Sequence, residues 1–165
     1  MEKRPRIKPK LTYLDKTLEV AGLLVLFSFW IHLVIHYPSL PETIPTHFNA
    51  AGEADGFGKK SSIFMLPIIA SILYALMTVL NFFPHIYNFP TKITPENAFR
   101  QYTNATQMIR VVKLGLLLLF FSIEIKTVKT AIGKAEGLGD WFLPLTFLLL
   151  VFPLIFFTTR MFKKD

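Results

Sequence analysis

Cysteine is absent from the 165 residues, which excludes a disulfide framework, a thiol nucleophile and any thiolate metal centre. Acidic residues are few, 11 against 18 lysines and arginines, so the chain carries a net charge of +7. Charge of either sign is scarce, at 18% beside 52% apolar residues, too little to coat a soluble domain of this length. Catalytic signatures are missing too. The residue after His32 is Leu33, so the His-Glu-x-x-His pattern of zinc peptidases fails, and no phosphate-cradling glycine loop or Ser-His-Asp order is present.

What the chain has is long apolar blocks. Four of them, about 18–37, 63–83, 111–130 and 141–159, are each close to the roughly 20 residues a helix needs to cross the hydrocarbon. The expected fold is therefore all-α, a single integral membrane domain over 1–165 built as a four-helix transmembrane bundle. The first block follows a basic segment but lacks a small-x-small cleavage site, so it reads as a retained anchor. Basic residues concentrate on one side: Lys3, Arg4, Arg6, Lys8, Lys10 and Lys16 before the first span, Lys92, Arg100, Arg110 and Lys113 between the second and third, and Arg160, Lys163 and Lys164 at the end. Lys59, Lys60, Lys126, Lys129 and Lys134 are all that fall on the other side. The positive-inside rule then puts both termini and the 84–110 segment in the cytoplasm, the 38–62 loop outside, and the chain in a plasma membrane. A basic patch for nucleic acid does not follow, because these charges sit at span ends. The first basic group, around Pro5 and Pro9, reads as a solvated arm near anionic headgroups or as a topology signal alone.

The connections carry distinct signals. Thr94-Pro95-Glu96-Asn97 announces a helix start near Pro95. Phe99, Tyr102, Thr106 and Ile109 then form an apolar stripe, with Arg100, Gln101, Asn104 and Gln107 mainly elsewhere. This amphipathic cytoplasmic helix leads into span three, lying along the interface or packing on the inner end of the bundle. The short 133–140 connection makes spans three and four antiparallel neighbours, with Asp140 as a cap and Pro153 as a kink in span four.

The external loop holds Pro41, Pro45, Gly52, Gly56 and Gly58 among few aliphatic residues, so it is turn-rich and folded. Its sequence from Leu40 to Lys60 includes Leu40-Pro41-Glu42-Thr43-Ile44-Pro45-Thr46-His47-Phe48-Asn49, then Gly52-Glu53-Ala54-Asp55-Gly56. This resembles the signature of domain of unknown function 1648, the N-terminal module of SdpI-type bacterial immunity proteins, with looser similarity through 94–102 and 137–142. The resemblance implies a small bacterial inner-membrane module. SdpI-type proteins protect cells from a secreted toxin and pass on its presence, with a further multi-span region after the module that lies outside these 165 residues. A peptide toxin or a membrane protein is thus the implied partner.

Two sets of candidate site residues emerge. In the loop, Pro45, His47, Phe48, Asn49, Gly52, Glu53, Asp55 and Gly56 offer a ligand-binding or partner-binding surface. Within the membrane, His32 and His36 are four apart on one face of the first span, at a depth similar to Glu124 on the third, which favours a His32–Glu124 hydrogen bond. The main reading is a non-enzymatic binding, immunity or signalling module whose loop and polar cluster form one outward-facing site. The alternative is a divalent metal held by His32, His36, His47 and Glu124. A homo-oligomer is how so short a chain would enclose a transport path.

Overall fold

The computed structural model describes residues 4–163; the terminal Lys3 and Lys164 counted above lie outside them. Helix α1 (Tyr13–His36) begins with a reciprocal capping box. The Thr12 hydroxyl accepts from the Asp15 amide at 3.1 Å, and the Asp15 carboxylate accepts from the Thr12 amide at 2.8 Å. This pairing starts the helix five residues ahead of the apolar block. After a 3₁₀ turn comes a departure from the all-α expectation. Strands β1 (Thr43–Phe48) and β2 (Ala54–Lys59) pair as an antiparallel hairpin, Ile44 opposite Gly58 and Pro45 opposite Phe57, with bulges on either side of His47. Helix α2 (Met65–Leu80) follows a second 3₁₀ turn.

Helix α3 (Ala98–Ala131) runs unbroken for 34 residues, about 51 Å at 1.5 Å per residue. The 94–97 turn starts it: the Asn97 side chain accepts from the Thr94 amide at 2.9 Å, and the Ala98 amide donates to the Thr94 carbonyl. The Thr94 hydroxyl bonded to the Glu96 carboxylate holds that acid below the usual range. The last rod comprises α4 (Phe142–Thr146), a π-helical turn (Phe147–Val151) and α5 (Phe152–Phe162). Asp140 does not cap it. Gly139, in a left-handed turn, sets its own carbonyl 3.1 Å from the Phe142 amide and takes the place of a side-chain cap.

Three stretches among the described residues, Tyr13–Ser39, Lys60–Leu80 and Phe142–Phe162, are long and apolar enough to cross a membrane. Helix α3 is the least apolar of the long helices and the most enclosed, packed by α1, α2 and α5. Its buried face includes Gln101, Asn104, Arg110, Lys113, Glu124 and Thr127. The 99–109 stretch therefore packs on the bundle end, and the expected stripe is partly inverted, with Phe99 exposed and Gln101 and Asn104 buried. Where α3 runs among the apolar helices, a bilayer explains its buried polar face. Apolar side chains such as Phe27, Ile31, Ile72 and Ile155 gain nothing by leaving lipid, whereas polar groups need partners inside.

Two ends of the bundle can now be distinguished. At the hairpin end, fully buried Ile44 of β1 packs with Leu33 of α1, Ile63 and Val128 of α3, fixing the hairpin to the helices. At the other end, residues 4–10 form an extended strap. Its side chains alternate, Pro5, Ile7 and Pro9 half-buried while Arg4, Arg6, Lys8 and Lys10 are exposed. The Arg4 guanidinium donates to the Tyr87 carbonyl at 2.6 Å, the Tyr102 hydroxyl donates to the Pro5 carbonyl at 3.0 Å, and Ile7 packs against Ile93, Ala98 and Tyr102. The arm expected to be solvated is pinned by the Arg4 side chain, the Pro5 carbonyl and Ile7, while Arg6, Lys8 and Lys10 stay exposed. Nearby, the Tyr87 hydroxyl donates to the Leu80 carbonyl at 2.8 Å, and burial pushes this phenol up to about 12.

Pro153 acts as expected in lacking a donor for the carbonyl four residues back, that of Leu149, and the helix widens there into the π turn. Helix α3 meets this turn at Gly115, where a β-carbon would stand 2.5 Å from the Leu149 oxygen. Gln101 reaches the Met161 carbonyl at 2.9 Å, so numbering falls on one rod as it rises on the other and the two are antiparallel. Gly115→Ala should push these rods apart and lower stability by about 1–3 kcal/mol, read as a lower melting temperature in detergent. An unshifted melt would refute the close approach.

Candidate functional site

The hairpin turn is built by Asn49. Its carboxamide oxygen accepts from the Ala51 amide at 2.9 Å and the Glu53 amide at 3.0 Å, while its nitrogen donates to the Glu53 carboxylate at 2.9 Å. Gly52, at φ +81°, supplies the left-handed residue and sits against Gly139. The Leu138 amide donates to the Gly52 carbonyl at 2.7 Å, and Glu53 bridges to Gly137, so the hairpin tip is tied to the loop before α4. Across the strands the His47 imidazole pairs with Asp55 at 2.5 Å, both exposed, opposite the bulge that seats Gly56. At the base, Lys60 pairs with Glu42 at 2.8 Å.

Held at base, tip and Ile44, the hairpin overhangs two clefts. One, of about 420 Å³, lies between Pro45, His47 and Phe48 of β1, Leu66 and Ile69 of α2, and Thr127 of α3. The other, of about 370 Å³, lies between the 48–52 turn and the 138–143 segment. Of the loop residues singled out from sequence, Pro45, His47, Phe48, Asn49 and Gly52 border a cleft, whereas Glu53, Asp55 and Gly56 serve the hairpin itself.

His32 and Glu124 do meet. The imidazole Nδ1 lies 3.1 Å from Oε1 and 2.9 Å from Oε2 of a carboxyl with no exposed surface. His36 stacks on His32 with ring centroids 4.0 Å apart, and its Nδ1 donates to the His32 carbonyl at 2.8 Å, which fixes its tautomer. None of these three residues borders a hairpin cleft, although Ile123 and Thr127 on either side of Glu124 do. Among the described residues, no three His, Asp or Glu groups converge as a metal-holding set.

A second polar cluster, unanticipated from sequence, lies near the strap end. Lys113, almost fully buried, donates to Glu19 at 2.6 Å and to the Thr78 hydroxyl at 2.8 Å, with its ammonium 4.3 Å from the Tyr74 ring centroid. Its three donors are thus all engaged. Arg110 donates from Nε to Glu19 at 3.1 Å and from Nη1 to Asp15 at 3.4 Å. The signal for this cluster was the pair of acids four apart on α1 and the pair of cations three apart on α3, each falling on a single helix face.

The family profile of a Domain of unknown function (DUF1648) matches residues 23–70, from mid-α1 through the hairpin into α2. A protein of Archaeoglobus fulgidus, described only as uncharacterized, is 32% identical over 150 residues, which cover 86% of this chain and 81% of that protein. The chain belongs to the DUF1648 family. No solved structure matches it significantly. The matched DUF1648 region contains the hairpin and both span histidines, while Glu124 and the Arg110–Lys113 pair lie beyond it.

The two buried clusters differ in what their loss should do. Glu19→Gln leaves Arg110 and Lys113 short of an anion and should cost about 3 kcal/mol of stability in detergent. A change under about 1 kcal/mol would count against the cluster as a lock. For the upper pair, His32→Leu and Glu124→Leu should each destabilise by about 1–3 kcal/mol, and the double variant by clearly less than their sum. Strict additivity would mean that the two side chains do not interact.

Proposed function

We propose that this DUF1648 protein spans the membrane four times, with α3 as its third span, and binds a ligand at the outer, hairpin end without transforming it. Both termini and the strap lie in the cytoplasm of this reading, and the hairpin lies outside. Support for the topology comes from the lysines and arginines gathered at the strap end. The length of α3 agrees with it. About 20 of its 34 residues cover roughly 30 Å of hydrocarbon, and the remaining turns fit the polar, strap-end portion that begins at Ala98.

The observation that carries the binding function is the fixed hairpin over its 420 Å³ cleft, a volume within the range of small-ligand sites. The walls are mostly apolar, with Thr46, His47, Ser62 and Thr127 as the polar contributors. A peptide toxin or an apolar segment of another membrane protein has the right chemistry, and an immunity or signalling role would follow from occupancy. The metal alternative draws less support, because His32, His36 and Glu124 do not border the cleft that His47 lines.

A photoreactive side chain at Phe48, inside the cleft, should form an adduct in intact cells, and Ile69→Trp, which fills the cleft, should abolish it. The same probe at Phe57, exposed on β2 and outside the cleft, should give none that depends on Ile69. Labelling from Phe48 that is indifferent to the filled cleft would sink the assignment.

A further inference from the structure

The strap, the lower halves of α1 and α2, and α3 enclose a separate cleft of about 360 Å³. Its walls divide by chemistry. Leu11, Leu23 and Phe82 supply an apolar side, and Arg110, Glu19 and Thr78 a polar one. Lys8 stands at the rim, its ammonium 5.9 Å from the Phe82 ring centroid.

The charge of this polar side is fixed by its pairing. Asp15 and Glu19 cancel Arg110 and Lys113 through the contacts described above, which leaves Lys8 as the surplus cation at the cleft. Both Glu19 oxygens are already engaged, Oε1 by Arg110 and Oε2 by Lys113. The Arg110 guanidinium has donors to spare. Nε and one Nη are used, and among the described residues Nη2 meets no acceptor. Lys8 likewise has no carboxylate partner among the described residues. Arg110 Nη2 and the Lys8 ammonium are thus unused donors lining one cleft, a pairing that fits an oxyanion.

We propose that this cleft binds an amphiphile with an anionic head, its phosphate or carboxylate oxygens on Arg110 and Lys8 and its tail against Leu23 and Phe82. The strap is the outer wall. It has no helix or sheet of its own, and its cations face outward, so the site opens toward the surface where anionic headgroups would lie. This site is separate from the hairpin clefts and does not depend on what they bind.

Two sources offer that chemistry, a membrane phospholipid and a free anion, and titration of the purified chain in detergent separates them. Native mass spectrometry with added phosphatidylglycerol should show one saturable adduct, with phosphatidylcholine bound more weakly and inorganic phosphate more weakly still. Lys8→Gln, on the exposed strap, should weaken the phosphatidylglycerol adduct about fivefold. Lys8→Arg should retain it, Leu23→Trp should block it by filling the apolar side, and Lys10→Gln, outside the cleft, should leave it unchanged. Equal loading of the two phospholipids in the parent chain and in Lys8→Gln would overturn the proposal, since it would mean an unselective lipid shell. Saturation by inorganic phosphate alone, with no gain from a tail, would overturn the amphiphile.

Discussion

The charged groups on the enclosed face of α3 have to be satisfied inside the protein, and that requirement arranges the elements around it. Helix α1 supplies the partners at both ends, Asp15 and Glu19 for Arg110 and Lys113, and His32 for Glu124. From Glu19 to His32, α1 climbs about 20 Å, and from Lys113 to Glu124, α3 climbs about 17 Å, so the two helices run side by side in one register. A slip by one turn, about 5.4 Å, would break both contacts at once and leave charges without partners in a dry interior. Apolar packing between the contacts, Phe29 and Leu117 with Phe121 stacked at 5.3 Å from Phe29, does not by itself specify that register.

The opposite side of α3 uses shape instead of charge. Gly115 receives the carbonyl that Pro153 leaves without a donor, and Gln101 holds the far end of α5 at Met161. Both α2 and α5 make their main contacts with α3 rather than with each other. At the hairpin end a gap remains between α2 and the start of α4, and the hairpin lies across it. The cleft there is a consequence of how α3 is packed, not an addition to the bundle.

Much of this was legible in the chain, because length and apolar runs respond directly to the bilayer. The three apolar rods and the enclosed helix follow the four blocks, and the His32–Glu124 contact followed from depth counting. Other features were hidden for identifiable reasons. The hairpin contains Pro45, Gly56 and Gly58, residues that disfavour strands on propensity, and its stability comes from the Asn49 turn and from Ile44 in the core. The 99–109 stripe misled because it counted apolar residues alone, whereas Gln101 is held inside by its bond to the Met161 carbonyl and Phe99 is left exposed. The strap's alternation of basic and apolar residues is a period-two pattern, masked by reading its charges alone. Asp15 and Glu19 showed only as ordinary acids near a helix start until Arg110 and Lys113 were placed opposite them.

The family signature and the proposed ligand contacts overlap only in part, and the overlap has a physical meaning. Within residues 23–70, Asn49, Gly52, Glu53 and Asp55 direct their polar groups to the hairpin itself, shaping the turn and fastening it to 137–139. A side chain whose donors and acceptors are consumed in building a turn has little left with which to select a ligand. Selection in the proposed outer site would then rest on groups bordering the cleft from other elements: Ile123 and Thr127 on α3, Leu138 before α4, and Phe142 at its start. All four lie outside the matched segment, whereas the α2 wall, Leu66 and Ile69, lies inside it. The signature in this reading specifies the roof and the α2 wall, and the remaining walls decide what fits beneath it. Proteins that share the 23–70 pattern would keep the overhanging hairpin yet differ in ligand wherever these wall residues differ.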